Sequence, residues 1–252
     1  MIQLQNASLS YDLATQVLDK ITLSVGRGEF VSLLGPSGCG KSTLLRLIAG
    51  LVEPSHGQLT VGGQPARRFR QTSNGISLVF QEPRLLPWRN VTRNIALPLE
   101  LSRVDRADQQ AFIEASLELI GLGPQDAAKY PRMLSGGMRM RVALARALVT
   151  KPSVLLLDEP FSALDELLRQ QLNEELLRIW RERAPTTVFV THNVSEAIFL
   201  SQRVVVMADH PGRIKATVDV PFEYPRSHTL RATREFATLV GEVSDLLRVE
   251  TT

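Results

Sequence analysis

The sequence predicts an α/β fold whose central sheet is mainly parallel. Three observations carry this expectation. Short, largely apolar runs (Phe30–Leu34 and residues 154–157, 187–190 and 204–207) have the length and character of strands buried on both faces. Between the later ones lie segments of helical spacing, giving a β-α-β-α-β order that puts helices on the faces of the sheet. The composition, 44% hydrophobic and 22% charged over 252 residues, describes one large domain or two closely joined subdomains with a sizeable core.

Taken in order, Ile21, Leu23 and Val25 alternate with polar neighbours before Gly26-Arg27-Gly28 turns the chain into the Phe30–Leu34 run. That run ends in a Gly-rich loop, and residues 41–49 read as a helix stopped by Gly50. Leu59 and Val61 ahead of Gly62-Gly63 mark another short strand, and residues 76–80 a further one running into Gln81. From about residue 93 to 149 the periodicity is helical. Phe112, Ala115 and Leu119, widened by Ile113, Leu117 and Ile120, form a stripe that Gly121 ends. Beyond the 154–157 strand, Leu168, Leu172, Leu176 and Ile179 share one helix face. The 187–190 strand, a short helix through Ala197 and the 204–207 strand follow. In the tail, residues 229–247 set Phe236, Leu239, Val240, Val243 and Leu247 at helical spacing, as in a surface helix packed on the body.

Composition also excludes some functions. No apolar run approaches the ~18 residues of a membrane-spanning helix. The N-terminal MIQLQNASLSYD lacks the basic start and apolar stretch of a secretory signal. A single cysteine, Cys39, closes no internal disulfide and fits a reducing compartment. A net charge of +3 does not call for nucleic acid or an anionic membrane surface as partner. The expectation is a soluble, cytosolic protein.

The chemistry enters with Gly35-Pro36-Ser37-Gly38-Cys39-Gly40-Lys41-Ser42-Thr43, which fits G-x-x-x-x-G-K-[ST] between an expected strand and an expected helix. Glycines let the backbone curl until successive N–H groups converge on phosphate oxygens, and the helix N-terminus adds partial positive charge. Lys41 supplies a full charge to the β- and γ-phosphates, and the Ser42 hydroxyl can ligate Mg²⁺. Within this loop Cys39 reads as a spacer. A second motif, Asp158-Glu159, ends the 154–157 strand. Asp158 is placed to hold Mg²⁺ and Glu159 to orient or deprotonate an attacking water, although a strand ending in two carboxylates is often only a solvated strand end.

A third motif, Leu134-Ser135-Gly136-Gly137-Met138, precedes Asp158 and opens a helix. By itself it reads as a helix cap, or as a second anion site in a chain with only one phosphate loop. It resembles the signature motif of ABC-type ATPases. The resemblance spans roughly residues 2–220 and implies a P-loop ATPase core, an N-terminal antiparallel β-subdomain and an inserted helical signature subdomain at about 89–149. Residues 221–252 then form a C-terminal tail with an amphipathic helix. It further implies that Ser135, Gly136 and Gly137 close on the γ-phosphate held by another copy's phosphate loop, so that two ATP molecules are sandwiched in a head-to-tail dimer. Gln81 resembles the Q-loop glutamine, near Mg²⁺ and the attacking water. Ser162-Ala163-Leu164-Asp165 resembles the D-loop, His192 the switch histidine, and Tyr11 the aromatic that stacks on adenine. Three positions depart from the common pattern: Met138 and Met140 stand where glutamine is frequent, and Asn193 where aspartate is usual. Tuning, not loss of activity, is the expectation.

Within that family the chain is most similar to ATP-binding subunits of nitrate/sulfonate/taurine-type importers, on the stretches LLPW at residues 85–88 and DHPGRI at 209–214 and on its short tail. This implies an ATPase that binds ATP and Mg²⁺ and energises import of a small anionic solute. It would act from the cytoplasmic face of the cell membrane as a peripheral protein. Its partners would be integral permease subunits and, indirectly, an extracytoplasmic substrate-binding protein. Leu85, Leu86 and Trp88 are candidates for the permease contact, with packing inside the helical subdomain as the alternative. A soluble ABC ATPase would bring tandem cassettes or a long coiled-coil insertion, and the interval from Thr43 to Leu134 shows no heptad array. An exporter ATPase commonly carries its membrane segments in the same chain, and a P-loop kinase has no use for a second anion cradle.

Overall fold

The computed structural model describes residues 1–11, 15–72, 74–208 and 210–248. Strands β1 (Ile2–Ser10) and β2 (Gln16–Val25) lead into β3 (Phe30–Leu34), the phosphate loop and α1 (Lys41–Ile48). Then come β4 (His56–Val61), β5 (Gln64–Pro65), the short α2 (Ala66–Arg70) and β6 (Ile76–Val79). A run of helices follows: α3 (Val91–Leu101), α4 (Arg106–Leu119), α5 (Pro124–Ala127) and α6 (Gly136–Leu148). The chain returns to the sheet with β7 (Val154–Asp158), α7 (Glu166–Arg183), β8 (Thr186–Thr191), α8 (Val194–Leu200), β9 (Arg203–Ala208) and β10 (Arg213–Asp219). It ends in α9 (Arg234–Leu247).

Two sheets result. The larger has six strands in the order β10-β9-β3-β8-β7-β6, parallel throughout except for β10, which pairs antiparallel with β9 at one edge. The smaller is antiparallel, in the order β2-β1-β4-β5. The parallel strands are apolar at nearly every position because both faces are covered. Phe30, Leu34, Leu155, Leu157, Phe189, Val204 and Val206 point to the side packed by α3, α4 and α6–α9. Their neighbours Val31, Leu33, Val154, Leu156, Val188, Val190, Val205 and Met207 join α1 and the antiparallel sheet on the other side. The period of two in each strand is therefore what divides the interior into two clusters.

Some expectations shift. In α4 the buried face is Ile113, Ser116, Leu117 and Leu119, continuing to Ile120, so four of the expected residues are buried, while Ala115 is exposed and Phe112 only partly covered. Ser116 is buried because its hydroxyl donates to the Phe112 carbonyl one turn back, so a serine substitutes for an apolar side chain on that face. The tail helix begins at Arg234, after a 3-10 turn over His228–Ala232, and buries Phe236, Leu239 and Val243 against the body. Met140 is buried on the core face of α6, and Met138 is partly buried against the same cluster. Of the 209–214 stretch, residue 209 lies outside the described residues, and Arg213 and Ile214 open β10.

Candidate nucleotide site

The loop between β3 and α1 is built by glycines at positions other residues resist. Gly38 and Gly40 adopt φ of +86° and +96°. At Gly35 a Cβ would stand 2.9 Å from both the Cys39 sulfur and the Met207 carbonyl oxygen, and at Gly40 it would meet Leu18 at 2.8 Å. Cys39 is therefore packing that fills the loop from behind, buried like Gly35. Pro36 is partly covered, and Ser37 and Gly38 form the exposed crest. Gly40 caps α1 without a side chain, so no side chain takes up the N–H groups of its first turn, which includes Lys41, Ser42 and Thr43.

Three strands of the sheet bring the remaining groups to the same edge. Lys41 is 4% exposed, and its ammonium donates to the carbonyls of Gly35 and Pro36, each at 2.8 Å. It also lies 4.0 Å from a Glu159 carboxylate oxygen. Ser42 Oγ donates to Asp158 Oδ1 at 2.8 Å, joining the loop to the end of β7. Burial pushes the Asp158 carboxyl above the ordinary range. The Glu159 charge adds to this, while the Ser42 hydrogen bond, Arg46 and Lys41 pull the other way.

Glu159 sits at φ +45°, a left-handed conformation costly for a residue with a side chain. Its N–H donates to the Val190 carbonyl at 3.0 Å, so the chain turns across the top of β8. There a Glu159 carboxylate oxygen meets His192 Nδ1 at 2.9 Å.

Gln81 is joined to this group indirectly: its amide donates to Ser162 Oγ at 3.0 Å, and Ser162 Oγ donates to the Glu159 carbonyl, also at 3.0 Å. Ser135, Gly136 and Gly137 make no side-chain hydrogen bond to this group, although Gly136 lines a cleft with Gln81 and Pro160. Ser135 Oγ accepts the Met138 N–H and caps α6. Gly136 faces Leu164, and a Cβ at Gly137 would strike Leu168 at 2.9 Å. The Asp165 carboxylate caps α7 by accepting the Leu168 N–H at 3.0 Å. Tyr11 follows β1 with 57% of its surface exposed, the accessibility a stacking ring needs.

Two contacts near Gln81 and the signature helix lay outside the sequence reading. Arg146 of α6 donates to the carbonyls of Pro83 and Arg84, at 2.8 and 2.9 Å, fastening the segment after Gln81 to the signature helix. Asn94, fully buried in α3, accepts the Leu86 N–H and donates to the carbonyls of Leu86, Arg89 and Asn90. Between those bonds Trp88 is held with 69% of its surface exposed, while Leu85 packs partly against the core. Neither contact has a local sequence signal, because each pairs a side chain with backbone carbonyls in another segment.

Comparison with known proteins agrees with this geometry. The ABC transporter family model matches residues 18–162. The aliphatic sulfonates import ATP-binding protein of Bacillus thuringiensis subsp. konkukian is 43% identical over 225 residues, 89% of this chain and 87% of that one. The taurine import ATP-binding protein of Rhizobium johnstonii is 41% identical over 256 residues, 98% and 96% of the two chains. Among solved structures, an ATP-binding cassette captured as a dimer in a post-hydrolysis state with ADP and Pi has a TM-score of 0.77 and 28% identity. That likeness covers 88% of this chain and all of the other. The phosphate loop, the carboxylates after β7 and the signature helix thus lie inside a family-wide match: the chain belongs to the ABC transporter family.

Proposed function

We propose that this chain is the ATP-hydrolysing subunit of a membrane importer for a small sulfonate- or nitrate-like anion. The observation that carries the reading is the bonded series Ser42–Asp158 and Lys41–Glu159–His192 around one phosphate loop. A signature helix capped by Ser135, with Ser135 and Gly136 exposed, completes it. Two relatives named for import of sulfonates and of taurine support the solute class.

ATP is the substrate. Tyr11 stacks on its base, the N–H groups of residues 38–43 and the Lys41 ammonium take its phosphates, and Glu159 orients and deprotonates the attacking water. His192, bonded to Glu159, contacts the γ-phosphate, and Gln81 completes the cage around water and metal. The donor set suits Mg²⁺: Ser42 Oγ and Asp158 Oδ1 are hard oxygen ligands 2.8 Å apart. Among the described residues no group of three or more acidic, histidine or cysteine side chains forms an all-protein metal cage. A hydroxyl and one carboxylate plus phosphate oxygens is how Mg²⁺ is commonly held, and when bound it neutralises charge on the β- and γ-oxygens.

Ser135, Gly136, Gly137 and Asp165 serve the nucleotide on a second copy, in a head-to-tail pair. γ-Phosphate bound by both copies favours the closed pair, and hydrolysis removes that preference. No described helix is long and apolar enough to cross a membrane; in this reading the membrane passage belongs to integral permease subunits. The exposed Trp88, pinned by Asn94 close to the Q-loop, is the anchor offered to it at the cytoplasmic membrane face. A substrate-binding protein outside selects the solute.

Purification of the tagged protein from its native membranes in mild detergent tests this reading. The expected result is a polytopic membrane protein at one copy per ATPase, lost on Trp88→Ala. Recovery of only soluble proteins or nucleic acid with intact ATPase activity would overturn the transport assignment.

A further inference from the structure

His192 is 52% exposed, so packing does little to set its direction. It lies in the two-residue link between β8, which ends at Thr191, and α8, which starts at Val194. That link is held by a closed ring of three hydrogen bonds. The Asn193 N–H donates to Thr191 Oγ1 at 3.0 Å, the Thr191 hydroxyl donates to the Glu196 carboxylate, and the Glu196 N–H donates to Asn193 Oδ1 at 3.0 Å. The ring joins the residue before His192, the residue after it and the first turn of α8. Glu196 is only 5% exposed, an expensive site for a carboxylate with no task. The far end of α8 is fixed independently: the Arg226 guanidinium donates to the carbonyls of Ile198, Phe199 and Ser201, and the Tyr224 hydroxyl to that of Leu200. With α8 anchored there, the ring at its start determines where the His192 backbone stands.

We propose that Glu196 is a positioning residue for His192, acting through Thr191 and Asn193 to hold the imidazole against Glu159. The inference rests on the reading of His192 as the group that contacts the γ-phosphate. Its physical content is narrow. The Glu196 carboxylate fixes the Thr191 hydroxyl as a donor, which leaves the oxygen's lone pairs for the Asn193 N–H. The imidazole between them then keeps its 2.9 Å approach to Glu159. Asparagine at position 193 suits this role, because an aspartate there would set a second carboxylate beside Glu196. The spacing Asn193-x-x-Glu196 is that of a capping box, and its side-chain half is redirected to Thr191.

The test is ATP turnover by the purified full-length chain, with kcat and KM for ATP resolved separately. Glu196→Ala and Thr191→Val should each lower kcat, by up to about 10²-fold, as expected for a misplaced catalytic group. KM should stay within about a factor of two, because nucleotide binding is left intact. Glu196→Gln and Thr191→Ser retain an acceptor and a donor and should recover most of the turnover. Because the effect runs through His192, adding Glu196→Ala to His192→Ala should cost nothing more. A further loss in that double variant, or wild-type kcat in both Glu196→Ala and Thr191→Val, would overturn the inference while leaving His192 its role. Wild-type turnover in His192→Ala would overturn both. If Glu196→Ala does not fold, the Thr191 pair decides alone.

Discussion

Two helix N-termini in this chain present backbone N–H groups, and they are finished differently. At α1 the cap is Gly40 in a left-handed conformation, and no side chain takes up the first-turn donors. At α6 the cap is Ser135, whose hydroxyl accepts the Met138 N–H. The α1 end is also enclosed: Lys41 is buried, and Ser42, Asp158, Glu159 and His192 are tied together from two neighbouring strands. Around α6, Ser135 and Gly136 are exposed, and a Cβ at Gly136 or Gly137 would meet Leu164 or Leu168. In the proposed reading, one half of the site is assembled within a single chain, and the other offers its donors to a second copy set against it.

The largest effect that would sharpen this contrast is Glu159→Gln. The neutral amide keeps shape and loses the base, so turnover should fall by about 10²–10⁴-fold while ATP binding persists. With hydrolysis blocked, the γ-phosphate continues to bridge two copies, and size-exclusion chromatography with saturating ATP should show a dimer. A monomer under those conditions would break the comparison, because the signature helix would then have no partner. Next in size is Gly136→Asp. A Cβ here makes only ordinary contact with Leu164, 3.5 Å away, so the fold should be kept. A carboxylate facing the incoming γ-phosphate should cut turnover by about 10²-fold, the scale of losing an oxyanion-type donor. Nucleotide affinity of the monomer, read by fluorescence titration, should be unchanged. Lower monomer affinity would mean that both helix ends serve the same nucleotide.

A third test, in which inactive chains rescue each other, pairs Gly136→Asp with a new variant, Lys41→Ala. Lys41→Ala destroys the phosphate loop and spares the signature helix, and Gly136→Asp does the reverse. Mixed in equal amounts, half of the dimers are mixed and each of these holds one intact site of two. Activity should return to about a quarter of the wild-type level. No recovery would place both halves in cis.

The contrast also explains which features could be read from the amino-acid order. The phosphate loop, Asp158-Glu159 and Ser135-Gly136-Gly137 are local: each is a few adjacent residues whose spacing is dictated by one helix end or one strand end. The parallel strands were equally plain, since burial on both faces leaves a continuous apolar run. Structure made by distant pairing was not plain. β10 carries an alternating exposed and part-covered pattern at the sheet edge, and α2 is a five-residue turn of ARRFR with a single buried side chain. In α4 the stripe held at Ile113, Leu117, Leu119 and Ile120 but missed Ser116 and wrongly included Ala115, because a buried serine with an internal hydrogen bond is indistinguishable in sequence from an exposed one. The bonds that order the site span large separations. Ser42 and Asp158 are 116 residues apart, and Arg146 reaches back 63 residues to Pro83. Motif spacing identifies the groups, but only the fold shows that the carboxylates, the histidine and the Q-loop segment are wired together.

The smallest predicted effect concerns the cost of that wiring. Burial holds the Asp158 carboxyl above its ordinary range, so the folded, metal-free protein retains a proton there at pH values where the unfolded chain has lost it. For an acid shifted in this direction, the stabilising contribution is complete below the unfolded value of about 3.8 and is lost as pH rises through the higher folded value. At neutral pH the metal-free site therefore carries an unfavourable carboxylate that the bound metal would offset. Asp158→Asn keeps an acceptor for Ser42 and removes the charge. Thermal unfolding of the metal-free variant at pH 7 should occur at a slightly higher temperature than wild type. The gain should vanish at low pH, where the wild-type carboxyl is protonated, and the increase in ATP affinity on adding Mg²⁺ should be absent at any pH. The signature helix has no titratable group at Ser135, Gly136 or Gly137, so Gly136→Ala should show none of this pH dependence. A metal-free Asp158→Asn protein less stable than wild type at pH 7 would mean that the carboxylate is held by favourable bonds within the apoprotein. The strain of the phosphate-loop half would then have to be sought elsewhere, first at the left-handed Glu159.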